Sequence, residues 1–106
     1  HDRLFLVVGV MGDKDAEGIL APLLPLAERV FAVSPVLERA LPSGELASLC
    51  RERGTAAINA GRVAAGLSLA KDAARPSDVV LVCGSLFTVG EARALLLAEH
   101  FEPCRG

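Results

Sequence analysis

The chain has 106 residues, 52% hydrophobic and 23% charged, which argues against disorder and leaves room for one domain. Eleven basic and 13 acidic residues give a net charge of −2; with no basic stripe or aromatic platform, a nucleic-acid partner is not expected. The apolar run Leu4–Val8 is far shorter than the ~20 residues of a membrane span, and no signal peptide is visible.

Leu4–Val10 is a continuous apolar run, the pattern of a strand covered on both faces. Met11–Asp15 is a polar loop. A helix is expected from Ala16 to Glu28, with Ile19, Leu20, Leu23 and Leu24 on its apolar stripe. Asp15 is placed to cap it, Glu17 suits the helix dipole, and Pro22 and Pro25 predict a kink or early break. Arg29–Val33 reads as a second buried strand, and Ser34–Leu41 as a loop. Pro42-Ser43-Gly44-Glu45 opens a helix with Ser43 as cap, running to about Arg53, where Gly54 supplies a left-handed stop. Thr55–Ile58 is a marginal third strand. Asn59 or Gly61 opens an Ala-rich helix to about Ala74, stopped by Arg75-Pro76. Val79–Cys83 is a fourth strand, Gly84-Ser85 a turn, and Thr88 to about His100 the last helix.

Ala and Leu supply 17 residues each and Val 11, a mix that fills helices with Ala and Leu and strands with Val. Alternating strands and helices with short connections predict an α/β fold. It is a three-layer, Rossmann-like sheet of mostly parallel strands flanked by helices, in one domain over 1–106. The expected strand order is 3-2-1-4, with Leu4–Val10 and Val79–Cys83 adjacent at the centre. Cys50, Cys83 and Cys104 have no C-x-x-C spacing and no nearby His pair, so they read as reduced thiols of a cytoplasmic protein, and no metal site is expected. A chain that opens on His1-Asp2 is expected to be a fragment or a processed product.

Open parallel sheets bind ligands at the carboxyl ends of their strands, which directs attention to two loops. The first is Gly9-Val10-Met11-Gly12-Asp13-Lys14-Asp15, a lysine between two aspartates beside a helix amino terminus. Free N–H groups and Lys14 could hold an anion there, and the glycines let the backbone come close to a bound group. The bland account has Asp15 capping the helix while Asp13 and Lys14 are solvated, and residue types alone favour it. The second is Cys83-Gly84-Ser85-Leu86-Phe87, where Ser85 and free amides could hold a carboxylate or phosphate; an ordinary strand-to-helix turn capped by Ser85 is again the simpler account. Neither loop is G-x-G-x-x-G or G-x-S-x-G, and His1 and His100 lie near the termini, so dinucleotide binding and serine hydrolysis are unsupported. A receiver domain is disfavoured because the third strand is expected to end at Asn59, not at an aspartate.

Taken together, the two loops carry a resemblance. Leu6–Gly18, with Gly9-x-x-x-Asp13-Lys14-Asp15, resembles the start of the carboxy-terminal domain of folylpolyglutamate synthases and bifunctional dihydrofolate synthases. Asp78–Glu91 is similar to that family's closing strand and its Gly-Ser-hydrophobic-aromatic turn, and Arg39-Ala40-Leu41-Pro42 to its middle segment. The resemblance runs from Leu4 to about Leu97. These relatives belong to the Mur ligase superfamily, which joins a carboxylate to an amine through an acyl phosphate at the expense of ATP.

The resemblance implies L-glutamate as the amine, folate or dihydropteroate as the acceptor, and ATP with Mg²⁺ as cofactors. It places Lys14 facing the transferred phosphate, Asp13 and Asp15 ordering the loop or its water and metal shell, and Gly12 near the nucleotide. Ser85, with Gly84, would hold the incoming glutamate. The family's P-loop and its Asp-Gly-Ala-His-Asn segment do not occur in this chain. ATP and Mg²⁺ are therefore expected mainly on a central domain outside it, and the fragment alone should be inactive. The implied protein is cytoplasmic and monomeric. Two rival readings stand beside this one. One is a stand-alone Rossmann-like module binding a small molecule or acting in regulation. The other is the matching domain of a different Mur-type amide ligase, over which the Asp-Lys-Asp and Gly-Ser-Leu-Phe loops favour the folate branch.

Overall fold

The computed structural model describes residues 3–12 and 15–101, with residues 86, 87 and 99–101 described by backbone alone. The elements are β1 (Leu4–Gly9), α1 (Ala16–Leu20), a 3-10 turn (Leu24–Leu26), β2 (Arg29–Ser34), α2 (Ser43–Glu52), β3 (Ala57–Arg62), α3 (Val63–Ala73), β4 (Val79–Gly84) and α4 (Leu86–Phe101). The four strands form one parallel sheet in the order β3-β2-β1-β4. The expected order and the adjacency of the first and fourth strands are therefore observed. β4, however, lies at the edge of the sheet and not at its centre.

The continuous apolar runs follow from cover on both faces. Successive strand side chains point to opposite sides. Leu6, Val8 and Val30 join Leu20, Leu46 and Cys50 in one core beneath α1 and α2. Phe5, Val7, Phe31 and Val33 join Val63, Leu67 and Ala70 in a second core beneath α3 and α4. β4 has similar composition but lacks this double cover. Val80 and Val82 pack against the second core, while Val79 and Leu81 on its other face are 57% and 39% exposed.

Several boundaries differ from the sequence reading, each for a local reason. The first helix stops at Leu20, ahead of Pro22, and Leu24–Leu26 closes as a 3-10 turn with Pro25 near its start. β3 runs on to Arg62, with Asn59 inside it. A register shift between Ala32 and Val33 and a left-handed Gly61 (φ +82°) let it pair through this stretch. Ser43 does not cap α2. Pro42 occupies the cap position without a side-chain bond, and the Ser43 hydroxyl instead donates to Asn59 Oδ1 at 2.6 Å, tying α2 to β3. Gly54 ends α2 with φ +88°, as expected of a left-handed stop.

At the amino ends of β1 and β4, Asp78 is a hub. It accepts from the Arg75 amide at 2.8 Å, from the Arg3 amide at 3.0 Å and from Arg3 Nη2 at 2.9 Å. These bonds, the backbone ones foremost, lower the Asp78 pKa to about 2.

Candidate functional site

β1 and β4 run parallel and in register, with Gly9 opposite Gly84, so the two loops singled out above leave the same edge side by side. Contact between their backbones requires glycine at 84, and glycine at 9 leaves room for the Thr88 hydroxyl and the Val33 carbonyl. Gly84 holds φ +118°, and a Cβ on it would collide with the Gly9 carbonyl. A Cβ on Gly9 would lie 2.6 Å from Thr88 Oγ1 and 2.9 Å from the Val33 carbonyl.

Each loop then hands its chain to a capped helix. Asp15 Oδ1 accepts from the Gly18 amide at 3.0 Å, the cap expected for α1. Ser85 Oγ accepts from the Thr88 amide at 3.1 Å, so α4 begins at Leu86 rather than at Thr88. The Ser85 and Thr88 hydroxyls are 3.0 Å apart, and Thr88 Oγ1 donates to the Gly9 carbonyl at 2.8 Å. Thr88 is thus a buried polar link between the two turns, and its place in an otherwise apolar helix start gave no signal in the sequence. Burial raises the pKa of the Cys83 thiol beside them, in keeping with a packed side chain rather than a nucleophile.

The segment after β2 closes over the first loop. The Gly12 amide donates to the Arg39 carbonyl at 2.6 Å, the Leu41 amide to the Val10 carbonyl at 2.9 Å, and Met11 bridges Ala40 in antiparallel fashion. A Cβ on Gly12 would come within 3.1 Å of the Arg39 carbonyl, so this approach suits glycine. The Ser34 hydroxyl holds the Leu41 carbonyl at 2.8 Å, and the Val36 amide reaches Glu91 Oε2 on α4 at 2.6 Å. Beside this strap lies a cleft of about 1000 Å³, lined by Met11, Ser34, Leu37, Arg39, Ser43 and Arg62 among others. It sits at the carboxyl ends of β1, β2 and β3, where parallel sheets take ligands. The sequence reading passed it over, because its walls come from segments far apart in the chain.

Residues 1–86 match the family described as the glutamate ligase domain of Mur ligases. The chain belongs to this family. It is 40% identical over 94 residues to a probable bifunctional folylpolyglutamate synthase/dihydropteroate synthase of Halobacterium salinarum, a match covering 88% of the chain and 11% of that protein. Among solved structures it is similar to E. coli FolC in complex with DHPP and ADP. The TM-score is 0.82 and the identity 26%, covering 94% of this chain and 23% of that one. It is also similar to the bifunctional folylpolyglutamate synthase/dihydrofolate synthase of Yersinia pestis complexed with AMPPNP and Mn. There the TM-score is 0.74 and the identity 30%, covering 89% and 22%. The chain therefore spans less than a quarter of the length of these relatives.

In this ligase domain, Gly12, Asp15, Gly84 and Ser85 are brought to one edge of the sheet. Asp13 and Lys14 lie outside the described residues, as do His1 and Cys104. Among the described residues, no three His, Cys, Asp or Glu side chains gather into a metal-holding group, and no helix is long and apolar enough to cross a membrane.

Proposed function

We propose that this domain is the carboxy-terminal part of a longer ATP-dependent folate-glutamate ligase. That enzyme is a folylpolyglutamate synthase, alone or combined with dihydrofolate synthase. It forms an amide between L-glutamate and a folate or dihydropteroate carboxylate. The observation that carries this reading is the pairing of the Gly9 and Gly84 turns at one sheet edge, in a chain of a glutamate ligase family.

The roles follow from what each turn can offer. The half-buried Ser85 hydroxyl, on a turn made possible by Gly84, is proposed to hold a carboxylate of the incoming glutamate. Lys14 is proposed to stabilise charge on the transferring phosphoryl group, which preorganised cations do best where charge develops. Asp15 already accepts the Gly18 amide, which supports a loop-ordering role for it, with Asp13 as its partner in that role. Gly12 is proposed to bring backbone near the nucleotide.

ATP would supply the phosphoryl group that activates the acceptor carboxylate. ATP and Mg²⁺ are assigned mainly to another domain of the longer protein, because the family's P-loop does not occur in this sequence, and this domain alone should be inactive. The enzyme is further proposed to be monomeric and cytoplasmic.

The test is ATP turnover by the full-length protein with Mg²⁺. The expected result is turnover that needs both L-glutamate and a folate, yielding a product one glutamate longer. Turnover with a cell-wall precursor in place of folate would assign the domain to another Mur-type ligase instead.

A further inference from the structure

One buried side chain joins the two turns, and counting its protons shows how. Thr88 is 0% exposed in the first turn of α4. A threonine hydroxyl has a single proton to donate. That proton goes to the Gly9 carbonyl at 2.8 Å, so in the 3.0 Å pair with Ser85 the serine donates and Thr88 Oγ1 accepts. The Thr88 amide meanwhile donates to Ser85 Oγ at 3.1 Å. Ser85 Oγ is therefore held twice by one residue, and that residue is anchored on the last residue of β1. Only the Ser85 proton remains transferable. An arriving carboxylate can accept it in place of Thr88 Oγ1 without disturbing the Thr88–Gly9 bond or the amide bond.

We propose that Thr88 is a positioning residue for the amino-acid substrate. It sets the Ser85 hydroxyl at a fixed distance from the end of β1, and so fixes where the substrate acid is held. The inference rests on the reading of Gly84-Ser85 as the glutamate-holding turn. Thr88 itself touches no substrate. Gly9 supports the arrangement, since a side chain there would occupy the space that Thr88 Oγ1 uses.

The test is steady-state kinetics on the full-length enzyme with Thr88→Val and Thr88→Ser. Valine keeps the branched shape and removes the hydroxyl; serine keeps the hydroxyl. Thr88→Val should raise KM for L-glutamate on the order of tenfold while KM for ATP stays within about twofold, and Thr88→Ser should restore most of the loss. If both KM values rise together, or neither changes while the melting temperature falls, the role is structural and the proposal is overturned. Should Thr88→Val fold too poorly to assay, Thr88→Cys, smaller and with a weak S–H donor, should give the same selective rise at a few-fold. Its absence overturns the proposal. A wild-type enzyme that shows no glutamate-dependent ATP turnover contradicts the functional reading itself, and the proposal with it.

Discussion

The four strand-to-helix connections at the carboxyl edge of the sheet fall into two pairs. The β1–α1 and β4–α4 connections are tied to each other where they leave the sheet. Asp15 and Ser85 cap their helices, Gly9 and Gly84 meet backbone to backbone, and Thr88 bonds across. The β2–α2 and β3–α3 connections supply most of the cleft wall, with Met11 from the β1–α1 connection, and α2 and α3 start without side-chain caps. The described donors of the first pair are held at set positions by bonds within the pair and to the segment after β2. The second leaves volume beside them. A ligand site built on rigid elements benefits from the first property, and access for a substrate requires the second.

The largest effect that could break this contrast is at glycine. Gly84→Ala should destabilise the protein by more than ~3 kcal/mol, because positive φ and a blocked Cβ act together. Gly61→Ala shares the positive φ but has nothing within 4 Å of its Cβ, so its cost should be only about 1–2 kcal/mol. Denaturant unfolding of the two variants measures the difference. Equal costs would mean that the close approach of the two turns adds nothing.

Asp15→Ala sharpens the account of the closed pair. Losing the bond to Gly18 should cost about 1 kcal/mol in the same unfolding assay. No such loss would show that the α1 turn holds its shape without the cap.

At the opposite edge of the sheet the expected effect is read from its pH dependence. Asp78 has a pKa of about 2 in the folded protein, below the ~3.9 of an unfolded aspartate. A lowered acid stabilises the fold above the unfolded pKa. The contribution is lost as pH falls from about 4 towards 2. Asp78→Asn should remove that part of the acid limb, leaving a flatter stability profile between those values. A profile as steep as wild type would assign acid sensitivity to other carboxylates.

The legible parts of the molecule were those encoded in runs. Leu4–Gly9 and Val79–Gly84 are contiguous apolar stretches, so their existence, parallel pairing and adjacency could be read from period and order. So could the break near Pro22 and the stop at Gly54. What escaped depends on tertiary pairing. The Asn59–Arg62 part of β3 is held by its register with Ala32–Ser34 and by a bulge, not by β-forming residues. Ser43 had the composition of a cap but found a better partner in Asn59. The turn at Gly84-Ser85 and its Ser85 cap could be read because they form a contiguous motif. Thr88 and the cleft could not, because their partners are 79 residues away in one case and spread over three strand ends in the other.

Lys14→Ala in the full-length ligase tests the central claim most directly, because the paired turns are proposed to serve chemistry rather than fold. Glutamate-dependent ATP turnover should fall by ~10²–10³-fold, as when other preorganised charge-stabilising groups are removed, with the melting temperature essentially unchanged. Unchanged turnover would reduce Lys14 to a solvated loop charge. A collapsed melting temperature alongside lost turnover would make the loop structural. Either result would contradict the account.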